Sequence, residues 1–138
     1  MIILDTNVIS ALMRPRPDAE VIRWLNRQPH TSMWTTSVSI FEIESGLQTM
    51  PLGKRQATMA ILFREWLQNV VQGRIASFDS GAAACAAELV ADRLKRGRPG
   101  ELRDTMIAGI VLASHATLAT RNVKHFGDIA ASVVNPWD

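Results

Sequence analysis

The sequence begins Met1-Ile2-Ile3-Leu4-Asp5-Thr6-Asn7, and this stretch decides which fold the chain is expected to adopt. Three apolar residues run straight into an acid, a hydroxyl and an amide. An apolar run this short, bounded by polar turn formers, predicts a strand that is buried on both faces. Such a strand delivers Asp5 to its C-terminal end, which in open parallel α/β sheets is the edge where ligands bind. Further acids are therefore expected at the same edge.

Composition predicts one globular domain spanning residues 1–138. The chain has 138 residues and is 47% hydrophobic, which is enough to bury a core. It has no run of about 18 uncharged apolar residues and no basic segment before its first apolar run, so neither a membrane span nor a secretory signal is expected. The single cysteine, Cys85, excludes an internal disulfide and favours a reducing cytoplasm. A net charge of +2 permits a polyanionic partner without requiring one.

Strands and helices are predicted to alternate along the chain. After the first strand, further strands are predicted over residues 31–37, 74–78, 117–120 and 133–134. Helices are predicted over residues 7–13, 19–28, 38–49, 54–71, 79–96 and 102–114, with Ser37 or Ser39 as the cap of the third helix. Residues 121–127 are expected to form a loop or a short helix. This alternation predicts an α/β fold with a parallel sheet and helices on its faces.

Two of these helices carry clear side-chain stripes. The stripe over residues 54–71 has helical spacing and consists of Met59, Leu62, Phe63, Trp66, Leu67 and Val70. The alanine-rich helix over residues 79–96 is expected to bury Ala83, Ala86, Ala87, Val90, Ala91 and Leu94. The small size of most of these residues predicts close packing against a neighbouring element.

Three acids stand out from the rest of the chain as candidates for a site. Asp5 follows a buried strand, where little but site chemistry or capping explains a carboxylate. Asp104 shares a helix face with buried-type residues such as Ile107, and a carboxylate there is costly unless it is paired or metal-bound. The alternative for Asp104 is an ordinary first-turn acid that the helix dipole favours. Glu42 follows the second strand, and its alternative is a solvated helical glutamate.

Three carboxylates at one sheet edge would form a pocket of hard oxygen ligands. Such a pocket suits Mg²⁺ or Mn²⁺, and water activated by the ion can attack a phosphodiester. The histidines lack zinc-site spacing, and the chain has no Cys-x-x-Cys pair and no phosphate-binding glycine loop.

A basic cluster lies close to Asp104 in the sequence. Its members are Arg93, Lys95, Arg96, Arg98 and Arg103. Cations at a helix C-terminus complement its dipole, and this alone would explain part of the cluster. The other interpretation is contact with a nucleic-acid phosphate backbone beside Asp104.

Taken together, these residues resemble the PIN-domain family. Four segments carry the resemblance over almost the full length: Ile3-Leu4-Asp5-Thr6-Asn7-Val8-Ile9-Ser10, residues 39–46 with Glu42, Asp104 before Ile107-Ala108, and Leu118-Ala119-Thr120-Arg121-Asn122. The ending Asn135-Pro136-Trp137 and the overall size are most similar to the VapC/FitB-type toxins of bacterial toxin–antitoxin pairs.

The resemblance implies a three-layer α/β/α PIN-like fold with a central, mostly parallel twisted sheet of four to five strands. It also implies a Mg²⁺- or Mn²⁺-dependent endoribonuclease that acts on structured RNA. Asp5, Glu42 and Asp104 would be the catalytic, metal-holding acids, and Thr6 and Thr120 would support them. Where many family members carry a fourth acid, this chain offers Asn122 or His125. We carry Asn122 forward as a further candidate metal ligand.

The resemblance further implies partners for the chain. These are an RNA substrate, with Arg96, Arg98 and Arg103 as candidate RNA-binding residues, and a cognate small DNA-binding antitoxin. A homodimer is expected, together with higher toxin–antitoxin assembly on DNA, in the cytoplasm and without a membrane partner.

Two other functions compete with the nuclease. The missing fourth acid favours a catalytically weak or inactive PIN-like module that binds RNA or its antitoxin. A phosphatase or phosphoryl-accepting domain with Asp5 as nucleophile would be expected to have a second Asp two residues later, and that position is Asn7.

Overall fold

The computed structural model describes residues 1–138 and contains one five-stranded sheet flanked by helices. The strands are β1 (Ile2–Leu4), β2 (Met33–Thr36), β3 (Ile75–Ala76), β4 (Thr117–Ala119) and β5 (Val133–Val134). The helices are α1 (Thr6–Leu12), α2 (Ala19–Asn26), α3 (Ser37–Thr49), α4 (Lys54–Trp66), α5 (Ser80–Lys95) and α6 (Leu102–Ser114). No helix combines the length and the apolar character that crossing a bilayer requires.

The sheet has the strand order β3-β2-β1-β4-β5, and every neighbouring pair is parallel. β1 is therefore the central strand. Ile3 lies opposite Trp34 of β2 and Leu118 of β4. Because all strands run the same way, their C-terminal ends meet at one edge of the sheet. The predicted α/β architecture is confirmed.

The two faces of the sheet are covered by separate hydrophobic cores, which gives the three-layer α/β/α arrangement. Leu4 points to a core formed with residues of α1 to α4, whereas Ile3 points to a core formed with residues of α5 and α6. Both side chains are completely buried, with 0% of their surface exposed. Burial on both faces explains why β1 reads as an uninterrupted apolar run.

Element boundaries differ from the predictions where local hydrogen bonding decides them. α3 begins at Ser37 and is capped by Thr36, whose hydroxyl accepts from the backbone N–H of Ser39. The expectation of Ser37 or Ser39 as cap was therefore wrong. The helix predicted over residues 54–71 is regular to Trp66 and then continues as a π-helical turn, Leu67–Val71. The segment over residues 121–127 forms a 3₁₀ turn, Val123–Phe126.

The buried face predicted for α5 was correct only for Ala86. The buried residues of α5 are Ala82, Ala86, Leu89 and Arg93. Val90 and Leu94, which were expected inside, are 40% and 62% exposed. The reason lies in α6, where Gly109 allows α5 to approach so closely that Ala82 and Ala86 must face it. The prediction of close packing by small residues was correct.

Candidate active site

Asp5 leaves the end of β1 and is fixed by hydrogen bonds at the C-terminal edge of the sheet. One carboxylate oxygen, Oδ1, accepts from the backbone N–H of Thr6 at 2.8 Å and so caps α1. The other, Oδ2, accepts from the Thr120 hydroxyl at 2.7 Å. Only 3% of Asp5 is exposed. The acid after the strand is thus both a helix cap and the buried centre of the polar group at this edge.

Glu42 joins the same group through Thr6. The Thr6 hydroxyl donates to Glu42 Oε1 at 2.9 Å and lies 3.1 Å from the Ser39 hydroxyl. A carboxylate can only accept, so the single Thr6 proton goes to Glu42, and the contact with Ser39 is a hydrogen bond only if the Ser39 hydroxyl donates to Thr6. Thr6 therefore connects the first turn of α1 to α3, and the solvated-glutamate alternative does not describe Glu42.

Asp104 lies in the first turn of α6, with its side chain 23% exposed. The cap of this helix is Glu101, which accepts from the backbone N–H of Asp104 at 3.0 Å. Asp104 is therefore not the cap. One of its oxygens lies 3.0 Å from Nδ1 of His125, which the sequence marked only as a stand-in for a fourth acid.

The three carboxylates influence one another electrostatically. Burial, above all, raises the pKa of Asp5, and the negative charge of Asp104 adds to the rise, while the Thr120 hydrogen bond opposes it. Burial also raises the pKa of Glu42, with the charges of Asp5 and Asp104 adding to it and the Thr6 hydrogen bond opposing it. Charge of one sign is thus concentrated at this edge of the sheet, where a cation would be favoured.

The chemistry of this donor set fits a hard divalent cation, because the groups are carboxylate oxygens. The present side-chain positions do not yet bring three ligands around one point, since no group of three or more His, Cys, Asp or Glu side chains is arranged to hold a metal ion. Glu42 lies 3.7 Å from the Arg103 guanidinium, and Asp104 is directed to His125. An ion would therefore have to draw these two side chains away from the cationic and histidine partners they now have.

Of the other residues that the resemblance implied, Thr120 contacts Asp5 and Asn122 does not contact the acids through its side chain. The Thr120 hydroxyl donates to Asp5 and accepts from the backbone N–H of Asn122 at 3.1 Å. The Asn122 side chain is exposed and makes no hydrogen bond to the acids. Sequence reasoning missed Asn7, whose amide lies 3.3 Å from the Thr120 hydroxyl and whose carbonyl oxygen accepts from the backbone of Arg121. Its position two residues after Asp5 was the available signal.

The basic cluster of the sequence separates into groups with different surroundings. Arg93 is only 4% exposed and forms a salt bridge with Asp128 at 2.9 Å, so its charge is already neutralised within the protein. Arg103 lies 3.7 Å from both Glu42 and Glu101. Arg96 and Arg98, in contrast, line a cleft that adjoins Asp104 and is also lined by Lys124, which the sequence did not indicate.

Comparison with known proteins identifies the family. The family model described as PIN domain matches residues 2–131. Plasmid stability protein StbB of Pseudomonas syringae pv. tomato is 36% identical over 138 residues, covering 100% of this chain and 99% of that protein. VapC ribonuclease Y4jK of Sinorhizobium fredii is 31% identical over 138 residues, covering 100% of this chain and 99% of that protein. Toxin FitB of Neisseria gonorrhoeae is 29% identical, covering 99% of both.

Solved structures agree with these relatives. A structure of FitAB bound to an IR36 DNA fragment has a chain that superposes with a TM-score of 0.89 at 29% identity, covering 100% of this chain and 96% of the other. In the crystal structure of FitAcB from Neisseria gonorrhoeae, the matching chain gives a TM-score of 0.83 at 30% identity, covering 99% of each. The resemblance found in the sequence is therefore confirmed at the level of both sequence and fold.

Proposed function

The chain belongs to the PIN-domain family, and from this premise we propose that it is the endoribonuclease toxin of a type II toxin–antitoxin system. The observation that carries the proposal is the joining of Asp5 to Glu42 through Thr6 at the sheet edge, with Asp104 close enough to raise the pKa of both. Relatives named as a VapC ribonuclease and a toxin support the same class of activity. We extend the proposal to dependence on Mg²⁺ or Mn²⁺ and to structured RNA as substrate.

In this proposal Asp5, Glu42 and Asp104 would hold the metal ion, and Asn122 would add a further oxygen. When bound, the ion supplies activation of water and stabilises the charge that develops on the phosphodiester. Asp5 is held by the backbone N–H of Thr6 and by the Thr120 hydroxyl, which fixes the direction of its remaining lone pairs. Thr6 sets the position of Glu42, so that two carboxylates from different elements keep a constant separation.

The proposed partners follow from the same assignment. We propose inhibition by a cognate small DNA-binding antitoxin, homodimerisation, and assembly of the pair on DNA, because chains similar to this one occur in the structures titled FitAB bound to an IR36 DNA fragment and FitAcB. A cytoplasmic location is part of the proposal, since it is where the RNA substrate and a lone thiol such as Cys85 are both expected.

The test is cleavage of structured RNA by the purified protein in Mg²⁺, in Mn²⁺ and in EDTA. Cleavage is expected with either ion and not in EDTA. Asp5→Ala, Asp104→Asn and Glu42→Gln should each abolish it. Glu44→Gln is the matched control, because Glu44 lies on the same helix but is exposed and has no partner at the site. Full activity in any of the three site variants would show that the residue assignment is wrong.

A second candidate function is a PIN-like module that binds RNA or its antitoxin without turnover. Two observations favour it: position 122 is Asn rather than an acid, and Glu42 and Asp104 are directed to Arg103 and His125. The melting temperature separates the two functions without an activity assay, because a ligand that binds the folded state raises it. Stabilisation by Mn²⁺ that Asp5→Ala removes supports the nuclease, whereas RNA binding with no metal-dependent stabilisation or cleavage supports the module.

A further inference from the structure

A cleft of about 1040 Å³ opens beside Asp104 and His125 and is lined by eleven residues, none of them hydrophobic. Its volume is at the upper end of the range for pockets that hold drug-sized ligands, about 300–1,000 Å³. We propose that this basic cleft binds the sugar–phosphate backbone of the RNA on one side of the scissile bond, through Arg96, Arg98 and Lys124. The inference rests on the proposed ribonuclease function and deepens it.

The three cations of the basic cleft have no protein partners. Arg96, Arg98 and Lys124 are all exposed, and none forms a salt bridge. Two of the acids in the cleft wall are already engaged, Asp128 by Arg93 and Glu101 by Arg103. The third acid, Asp104, faces His125, so the charges of Arg96, Arg98 and Lys124 remain available and favour an anionic ligand.

Hydrogen bonds from Arg93 fix the backbone that forms the floor of the basic cleft. The Arg93 guanidinium donates to both oxygens of Asp128 at 2.9 Å, to the Thr105 hydroxyl at 2.9 Å and to the backbone carbonyl of His125 at 3.1 Å. It thereby ties the end of α5 to the start of α6 and to the 3₁₀ turn Val123–Phe126. Gly100 lies over this guanidinium so closely that a Cβ there would collide with it. The network consequently fixes the end of α5 and the 3₁₀ turn, from which Arg96 and Lys124 extend, relative to the start of α6 that carries Asp104.

The chemistry of the lining favours a nucleic-acid backbone over a protein segment. A protein that docks tightly uses apolar or aromatic anchors in desolvated pockets, and this cleft has no hydrophobic residue to receive them. It also has no Phe, Tyr or Trp ring on which a base could stack, and its one imidazole, that of His125, is held by Nδ1 against Asp104. Flexible cations that contact phosphates fix the register of a strand but carry no sequence information. The cleft should therefore hold the RNA without reading its bases.

Binding of labelled single-stranded oligouridylate and oligoadenylate, measured by fluorescence anisotropy in EDTA at several salt concentrations, tests the inference apart from catalysis. The test protein carries Arg96→Gln, Arg98→Gln and Lys124→Gln together. The control carries Arg14→Gln, Lys54→Gln and Arg55→Gln, which remove the same charge from a separate surface between α1 and α4. Because all six residues are exposed, both variants should melt at the wild-type temperature.

The cleft variant is expected to bind both oligonucleotides more weakly, and to the same degree. The slope of log affinity against log salt should shrink by about 2, because each phosphate contact contributes about 0.7 for a single strand. The control should retain the wild-type slope. Wild-type affinity and slope in the cleft variant would overturn the inference, as would an equal loss in the control or no binding by the wild type.

Cleavage assays keep this inference distinguishable from the proposed function. If the wild type binds RNA through the cleft but never cleaves with Mg²⁺ or Mn²⁺, the ribonuclease proposal fails and the cleft assignment stands. If the wild type cleaves and the cleft variant cleaves with an unchanged KM, the cleft assignment fails and the ribonuclease proposal stands. Both proposals are supported if the wild type cleaves RNA and the cleft variant cleaves it with a raised KM and little change in kcat.

Discussion

Gly109→Ala should destabilise the protein, although alanine is the better helix former. A Cβ at this position would lie 2.5 Å from the carbonyl oxygen of Ala82, 2.7 Å from the Cβ of Ala86 and 3.0 Å from the Ala86 nitrogen. None of these atoms belongs to a side chain that can rotate away. The strain can be relieved only by moving α5 and α6 apart, which opens the core on that face of the sheet.

The magnitude follows from two opposing effects. Overpacking a close helix contact costs about 1–3 kcal/mol, and contacts with backbone atoms belong at the upper end of that range. In the opposite direction, the higher helix propensity of alanine stabilises the folded protein by about 1 kcal/mol. The net loss in the free energy of unfolding should therefore be about 2 kcal/mol.

Gly46→Ala is the matched control, because Gly46 lies inside α3 with nothing within 4 Å of the added Cβ. This variant should gain up to about 1 kcal/mol from helix propensity alone. Urea unfolding followed by tryptophan fluorescence measures both variants, since the chain has four tryptophans. Equal or greater stability of Gly109→Ala relative to the wild type would refute the packing argument.

Two further predictions concern pH. Burial raises the pKa of Asp5 in the folded state, so the wild type loses stability as pH rises from the ordinary carboxylate pKa through the folded value; in EDTA, Asp5→Asn should therefore melt higher than the wild type at pH 7 but not at about pH 3. An unchanged melting temperature would count against a buried charge at this position. The hydrogen bond from Arg93 lowers the pKa of Asp128, so its stabilisation is present at neutral pH and is lost as pH falls through the folded value. Asp128→Asn should thus cost about 1–3 kcal/mol in urea unfolding at pH 7 and progressively less as pH falls below the ordinary carboxylate pKa, and a cost that does not change with pH would contradict this account.

Features that depend on local sequence were predictable. The apolar run before Asp5 indicated a strand buried on both faces, and helical spacing placed Asp104 on the face of Ile107, which is completely buried. These conclusions need only the period of the element and the direction of parallel strands. Three acids at one edge follow from that topology.

Features that depend on distant partners were not predictable. Arg93 is buried because Asp128 neutralises it from 35 positions away, and an arginine at the end of a helix gives no local sign of such a partner. The buried face of α5 is set by the absence of a side chain at Gly109, on another helix. The partner of Glu42 in the structure, Arg103, is likewise decided by how α3 and α6 approach each other.

The position of β1 in the sheet has a consequence for synthesis of the chain. β1 is made first, yet it lies between β2 and β4, and β4 is not complete until residue 119. The backbone N–H of Asp5 bonds to the carbonyl of Ala119, and its carboxylate bonds to Thr120. A nascent chain therefore carries Asp5 and Glu42 long before it can assemble them into a site. If the protein is the ribonuclease we propose, RNA near the translating ribosome is spared until β4 and Thr120 have been made.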